Sequence, residues 1–118
     1  MPGRLTVAER FERMDVNVAL HIILRRALDI AWREWRRGDN LHPLKVLEDS
    51  FLTDDGDITQ EKMIDWADRA LRGNDQSVQR LHTVDWNRLH KDVEDAIHYY
   101  HHMQQASELA GALAAVRG

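Results

Sequence analysis

Four of the seven histidines in this chain fall between residues 90 and 102, and their spacing is the first pattern that could do chemistry. His90, Glu94, His98 and His101 follow steps of four, four and three, which on an α-helix puts them on one polar stripe. Asp95, His98 and His102 form a second grouping by the same spacing. Imidazole and carboxylate groups placed this way can chelate zinc, iron, copper or nickel once a second helix completes the coordination shell. A divalent transition metal at His90, Glu94, His98 and His101 is therefore one candidate function. The pattern departs from helical diiron sites, which use Glu-x-x-His pairs on facing helices. Here the spacing is Glu94-x-x-x-His98, and His21 is the only histidine of the first long predicted helix. The competing reading is a solvated polar stripe whose charge rises below about pH 6.5. His21 itself lies among Leu20, Leu24 and Leu28, where a histidine is usually held by a backbone group or a carboxylate.

Other constellations are thinner. Asp55-Gly56-Asp57-Ile58 invites comparison with a calcium-binding EF-hand loop, but aligning Gly56 with that loop's glycine puts Phe51 at the first ligand position. Lys62 then stands where the bidentate acid belongs, so an ordinary capped turn is the better reading. Arg25, Arg26, Arg33, Arg36 and Arg37 crowd the end of a predicted helix, where cations also favour the helix dipole. Residues 60 to 82 could form a helix-turn-helix around Gly73, offering Gln76, Ser77, Gln79 and Arg80 to a DNA groove. One arginine on a reading helix of a net acidic chain is a weak basis for that regulator. No glycine-rich phosphate loop, nucleophile elbow or His-Glu-x-x-His motif is present, so the reading is non-enzymatic.

Composition narrows the setting. The 118 residues are the length of one domain, with 43% hydrophobic and 31% charged residues, which is ordinary for a folded protein. A formal net charge of −4 gives no general attraction to nucleic acid or anionic membrane. Without cysteine there is no disulfide framework, thiol catalysis or thiolate metal site. Residues 1 to 14 carry Arg4, Glu9, Arg10, Glu12 and Arg13 where a signal peptide needs an apolar run, and no stretch is apolar enough to span a bilayer. The expectation is a cytoplasmic protein.

The elements that must position these residues are all predicted to be helical, in a bundle of four to five helices. Thr6 and Glu9 have capping-box spacing, so a helix is expected from near Val7, pausing around Asp15 to Asn17. A second run from Val18 to Arg37 carries Leu20, Leu24, Leu28, Ala31, Trp32 and Trp35 on one face. Ile22, Ile23 and Ile30 widen its apolar surface, which predicts a central place in the bundle, and Gly38 is placed to end it. Pro43 suits the first turn of a short helix over 43–52, followed by a turn at 53–57 and a helix over 59–72 that ends at Gly73. Asp85 caps the longest element, which runs to about residue 115. Its seam of Trp86, Leu89, Val93, Ala96, Tyr100, Met103, Ser107, Ala110 and Ala114 follows heptad steps. Leu24, Leu28, Trp32, Trp66, Leu89, Val93 and Tyr100 are the expected core.

The end of that long helix supplies the leading functional expectation. Leu109 and Leu113 lie off the seam among Ala106, Ala110, Ala112, Ala114 and Ala115, so the helix is apolar on nearly every side. Such a surface needs cover, from within the chain or from a partner. The reading is a non-enzymatic helical module that binds another protein or itself, as a homodimer, through Tyr100, Met103, Leu109, Leu113 and Val116.

Overall fold

The computed structural model describes residues 6, 10, 13–38, 42–73 and 78–117. Among these lie four α-helices: α1 (Val16–Arg36), α2 (Pro43–Phe51), α3 (Gln60–Gly73) and α4 (Trp86–Arg117), with a 3₁₀ helix at Val78–Thr83 before α4. No strand is present among the described residues, only one antiparallel bridge between Leu52 and Ile58. The bundle is all-α and its C-terminal helix is long, as the helical periodicity requires.

Local chemistry sets the boundaries. Asp15 begins α1 by accepting from the amides of Asn17 (2.9 Å) and Val18 (3.4 Å), which holds its own carboxyl below the usual range. Asp85 does the same for α4 through Asn87 (3.1 Å) and Arg88 (3.3 Å). The Asp85 amide in turn donates to Asn17 Oδ1 at 2.7 Å, fastening the start of α4 to the start of α1. Gly38 follows α1 with φ +82°, a backbone conformation that disfavours any side chain. Gly56 takes φ +86° in the turn after α2, where Thr53 accepts from its amide. Upstream of α1, Arg10 N donates to Thr6 O and Met14 N to Arg10 O, the spacing of helical turns. The expected capping partner Glu9 lies outside the described residues.

The core has two adjoining clusters. Leu24, Leu28, Leu44, Leu47, Phe51, Met63, Leu89, Val93, Ala96 and Tyr100 form the larger, and Val16, Leu20, Ala67, Leu71 and Val84 the smaller. Trp66 and Trp86 pack against both. Of the expected core, Leu24, Leu28, Leu89, Val93 and Tyr100 are buried, whereas Trp32 and Trp66 are only half-buried. Tryptophan is so large that one edge commonly stays wet. The helix α1 packs against α2, α3, α4 and the 3₁₀ helix, the central place expected of it, although its outer side stays open. Its neighbours cover one side, leaving Ile22 and Ile30 exposed at 37% and 47%.

The pairing of α1 with α4 fixes the geometry of the rest. His21 meets Asp92 and Asp29 meets Tyr100, both pairs 71 residues apart, so the two helices run parallel in constant register. That register brings Arg36, the last residue of α1, level with Ser107. Beyond Ser107, α4 extends about 15 Å at 1.5 Å per residue with no α1 beside it.

Candidate functional site

The histidine stripe lies on the root and middle of α4. His90 Nδ1 is 2.5 Å from Glu94 Oε1, one turn away on the same helix, and both side chains are partly open to solvent. His98 and His101 are exposed, as are Asp95 and His102. Facing His90, Glu94 and His98 from the turn after α2 are Leu52, Gly56, Asp57 and Ile58, with Ile97 beside them. Apart from Asp57 these offer no side-chain ligand. Among the described residues no group of three or more histidine, aspartate or glutamate side chains is gathered closely enough to hold an ion. The spacing along one helix is real, but the second helix that would complete a shell supplies no histidine.

His21 has a carboxylate partner across the bundle. Its Nδ1 sits 3.2 Å from Asp92 Oδ2, with the imidazole about half exposed and the aspartate mostly covered. The pair closes one side of a groove of about 260 Å³ between α1 and α4, lined also by Leu24, Arg25, Asp95 and Tyr99. At its end Tyr100 Oη donates to Asp29 Oδ1 over 3.4 Å. Burial, with the Asp29 charge beside it, pushes the Tyr100 phenol up to about 12. These contacts lock α1 against α4, and they give His21, Asp92, Tyr100 and Asp29 partners within the chain.

The turn after α2 carries a feature that sequence reasoning missed. Lys62, at the position where a calcium loop needs its bidentate acid, reaches back so that its Nζ donates to Leu52 O (2.5 Å) and Asp49 O (3.4 Å). An ammonium group thus satisfies the carbonyl end of α2, where the dipole favours positive charge. The only available signal was a lysine shortly after a predicted helix end, which is too common to single out.

Of the residues proposed to read DNA, Gln76 and Ser77 and the side chain of Gln79 lie outside the described residues. Arg80 is within the 3₁₀ helix, and its guanidinium donates to Met14 O, tying that element to the approach to α1. The five arginines of α1 and its C-cap, Arg25, Arg26, Arg33, Arg36 and Arg37, are all exposed.

The expected interface divides into two parts. Tyr100 is buried in the core of the chain and Met103 is half-buried. From Gln105 to Val116 every residue is exposed, and Leu109, Leu113 and Val116 stand out at 62%, 51% and 85%. Among the described residues the heptad seam therefore finds a neighbouring element only as far as Met103. No family model, curated protein or solved structure matches the chain. Glu108 is the one charged residue between Gln104 and Val116, so the projecting turns carry little that would keep another apolar surface away. No helix of the described residues is long and apolar enough to cross a membrane.

Proposed function

We propose that this chain is a non-enzymatic helical interaction module, working in the cytoplasm, that binds through the distal turns of α4, in the first instance to a second copy of itself. The observation that carries the reading is the exposure of Leu109, Leu113 and Val116 on a helix that outruns its bundle. Burying a leucine side chain is worth roughly 1.5–3 kcal/mol, so covering these residues gives association an appreciable driving force. A patch that projects from one end of the molecule is accessible to a partner without rearrangement of the core. Two identical helices that cover one another close as a two-fold dimer, the simplest symmetric solution.

The test is light scattering at tens of micromolar on wild type and on the double variant Leu109→Glu, Leu113→Glu. The expected result is a dimeric wild type and a monomeric, fully helical variant. A monomeric wild type rejects self-association. Unfolding of the double variant would mean that these leucines belong to the core of the chain, and would reject the reading altogether.

A further inference from the structure

His42 stands where the chain enters α2. Its Nδ1 accepts from the Leu44 amide at 3.1 Å, so the imidazole is the N-cap of α2, immediately ahead of Pro43. A nitrogen that accepts is unprotonated, so in the neutral ring the proton is on Nε2. That atom is buried and has no hydrogen-bond partner among the described residues. Aromatic rings surround it instead. Trp35 lies 4.5 Å and Trp32 5.7 Å from the imidazole between centroids, each nearly perpendicular to it. Trp32 also stacks on Trp35 at 5.4 Å and meets Tyr100 of α4 at 5.9 Å. The imidazole thus joins the start of α2 to the end of α1 and, by way of Trp32, to Tyr100 in the last buried turn of α4.

We propose that His42 is a proton-operated clasp: as the neutral ring it caps α2 and packs against Trp32 and Trp35, and on protonation it lets go of the cap. An imidazolium carries hydrogen on both nitrogens. Nδ1 then has nothing to accept with, and its N–H faces the Leu44 N–H at the positive end of the α2 dipole. The other N–H stays buried without an oxygen among the described residues to receive it. The attraction of a cation for the tryptophan faces works in the opposite direction. It restores neither the cap nor the hydration of two N–H groups.

The surrounding charges agree with this direction. From α1 the ring meets Trp32 and Trp35, which do not titrate, and from α4 the titratable group acting on it is His101. Burial first, and then the His101 charge, hold the His42 imidazole below its ordinary value of 6.5. The unfolded chain therefore takes up the proton before the folded one does. The clasp contributes fully above pH 6.5, and its contribution is lost as pH falls from there through the folded-state value.

The experiment compares thermal unfolding of the full chain with that of His42→Asn between about pH 7.5 and 5.5. Asparagine keeps a capping oxygen but does not titrate. The expected outcome is a wild-type Tm that drops roughly 3–6 °C further than that of the variant over this range. Long-range ¹H–¹⁵N spectra of wild type should show the Nε2–H tautomer near neutrality. They should also show a His42 midpoint below the ordinary histidine value and a Leu44 amide that loses protection through the same titration. Equal pH dependence in the two proteins, an Nδ1–H tautomer, or a midpoint at or above the ordinary value overturns the proposal. Should His42→Asn fail to fold, the wild-type titration decides by the same criteria.

Discussion

The two halves of α4 share a periodicity and differ in what lies beside them. From Trp86 to Tyr100 the seam residues Leu89, Val93, Ala96 and Tyr100 are buried against α1, α2 and α3. From Gln105 to Val116 the same seam continues through Ser107, Ala110 and Ala114 and meets no other element of the described chain. The difference arises in α1, which stops at Arg36 and so runs out level with Ser107. A heptad pattern identifies a face that can be buried. Whether it is buried within the chain depends on the length of the neighbour, set here by the stop at Gly38.

The contrast can be broken most forcefully at its packed end. Leu28 is 1% exposed between α1 and α4, so Leu28→Ala should cost about 2–5 kcal/mol in denaturant unfolding. A loss below about 0.5 kcal/mol would mean that the packed face is wrongly placed. Next in size is the cap that starts the packed half. Asp85→Ala removes the acceptor of two amides and should cost about 0.5–2 kcal/mol, whereas Asp85→Asn should retain most of it. A smaller effect is expected where the packed half ends. Tyr100→Phe gives up a long hydrogen bond to Asp29 and should cost about 1 kcal/mol or less near neutral pH.

In alkali Tyr100 has a clearer signature. Its folded-state value of about 12 lies above the ordinary 10, so its contribution is complete below pH 10 and is lost as pH rises towards 12. Tyr100→Phe should lack that part of the alkaline destabilisation. Ultraviolet titration of Tyr99→Phe should still place the remaining phenol above the ordinary 10, because burial and the Asp29 charge, the two largest causes, are kept. The least effect on monomer stability belongs to the projecting half. Leu113→Ala should change dilute unfolding by less than about 0.5 kcal/mol, because Leu113 is 51% exposed and packs against no other element of the described residues.

Much of this contrast was legible in the residues. Asp15, Pro43, Asp85 and Gly38 mark helix ends by local chemistry, and local chemistry survives folding unchanged. The stripe of Leu20, Leu24 and Leu28 likewise marks a buried face by spacing alone. What spacing cannot convey is the number of neighbours, so the isoleucines of α1 read as interior when two of them face outward. It also cannot convey reach across the fold. His21 finds Asp92, Lys62 finds the carbonyls of α2, and His42 finds two tryptophans of α1, all through turns whose direction no local pattern reveals. For the histidine stripe, helical spacing put His90 beside Glu94 correctly, but the missing second helix was a tertiary fact.

If α4 is the association surface, its distal turns are covered only when two molecules meet. Amide hydrogen exchange of wild type, measured for residues 106–116 across a range of protein concentrations, tests it directly. A helix end with no neighbour frays and exchanges quickly, so protection there must come from a second molecule. These amides should gain protection as concentration rises into the tens of micromolar, while those of Leu89 and Val93 stay protected throughout. Exchange at 106–116 that is independent of concentration, whether fast or slow, would contradict this reading.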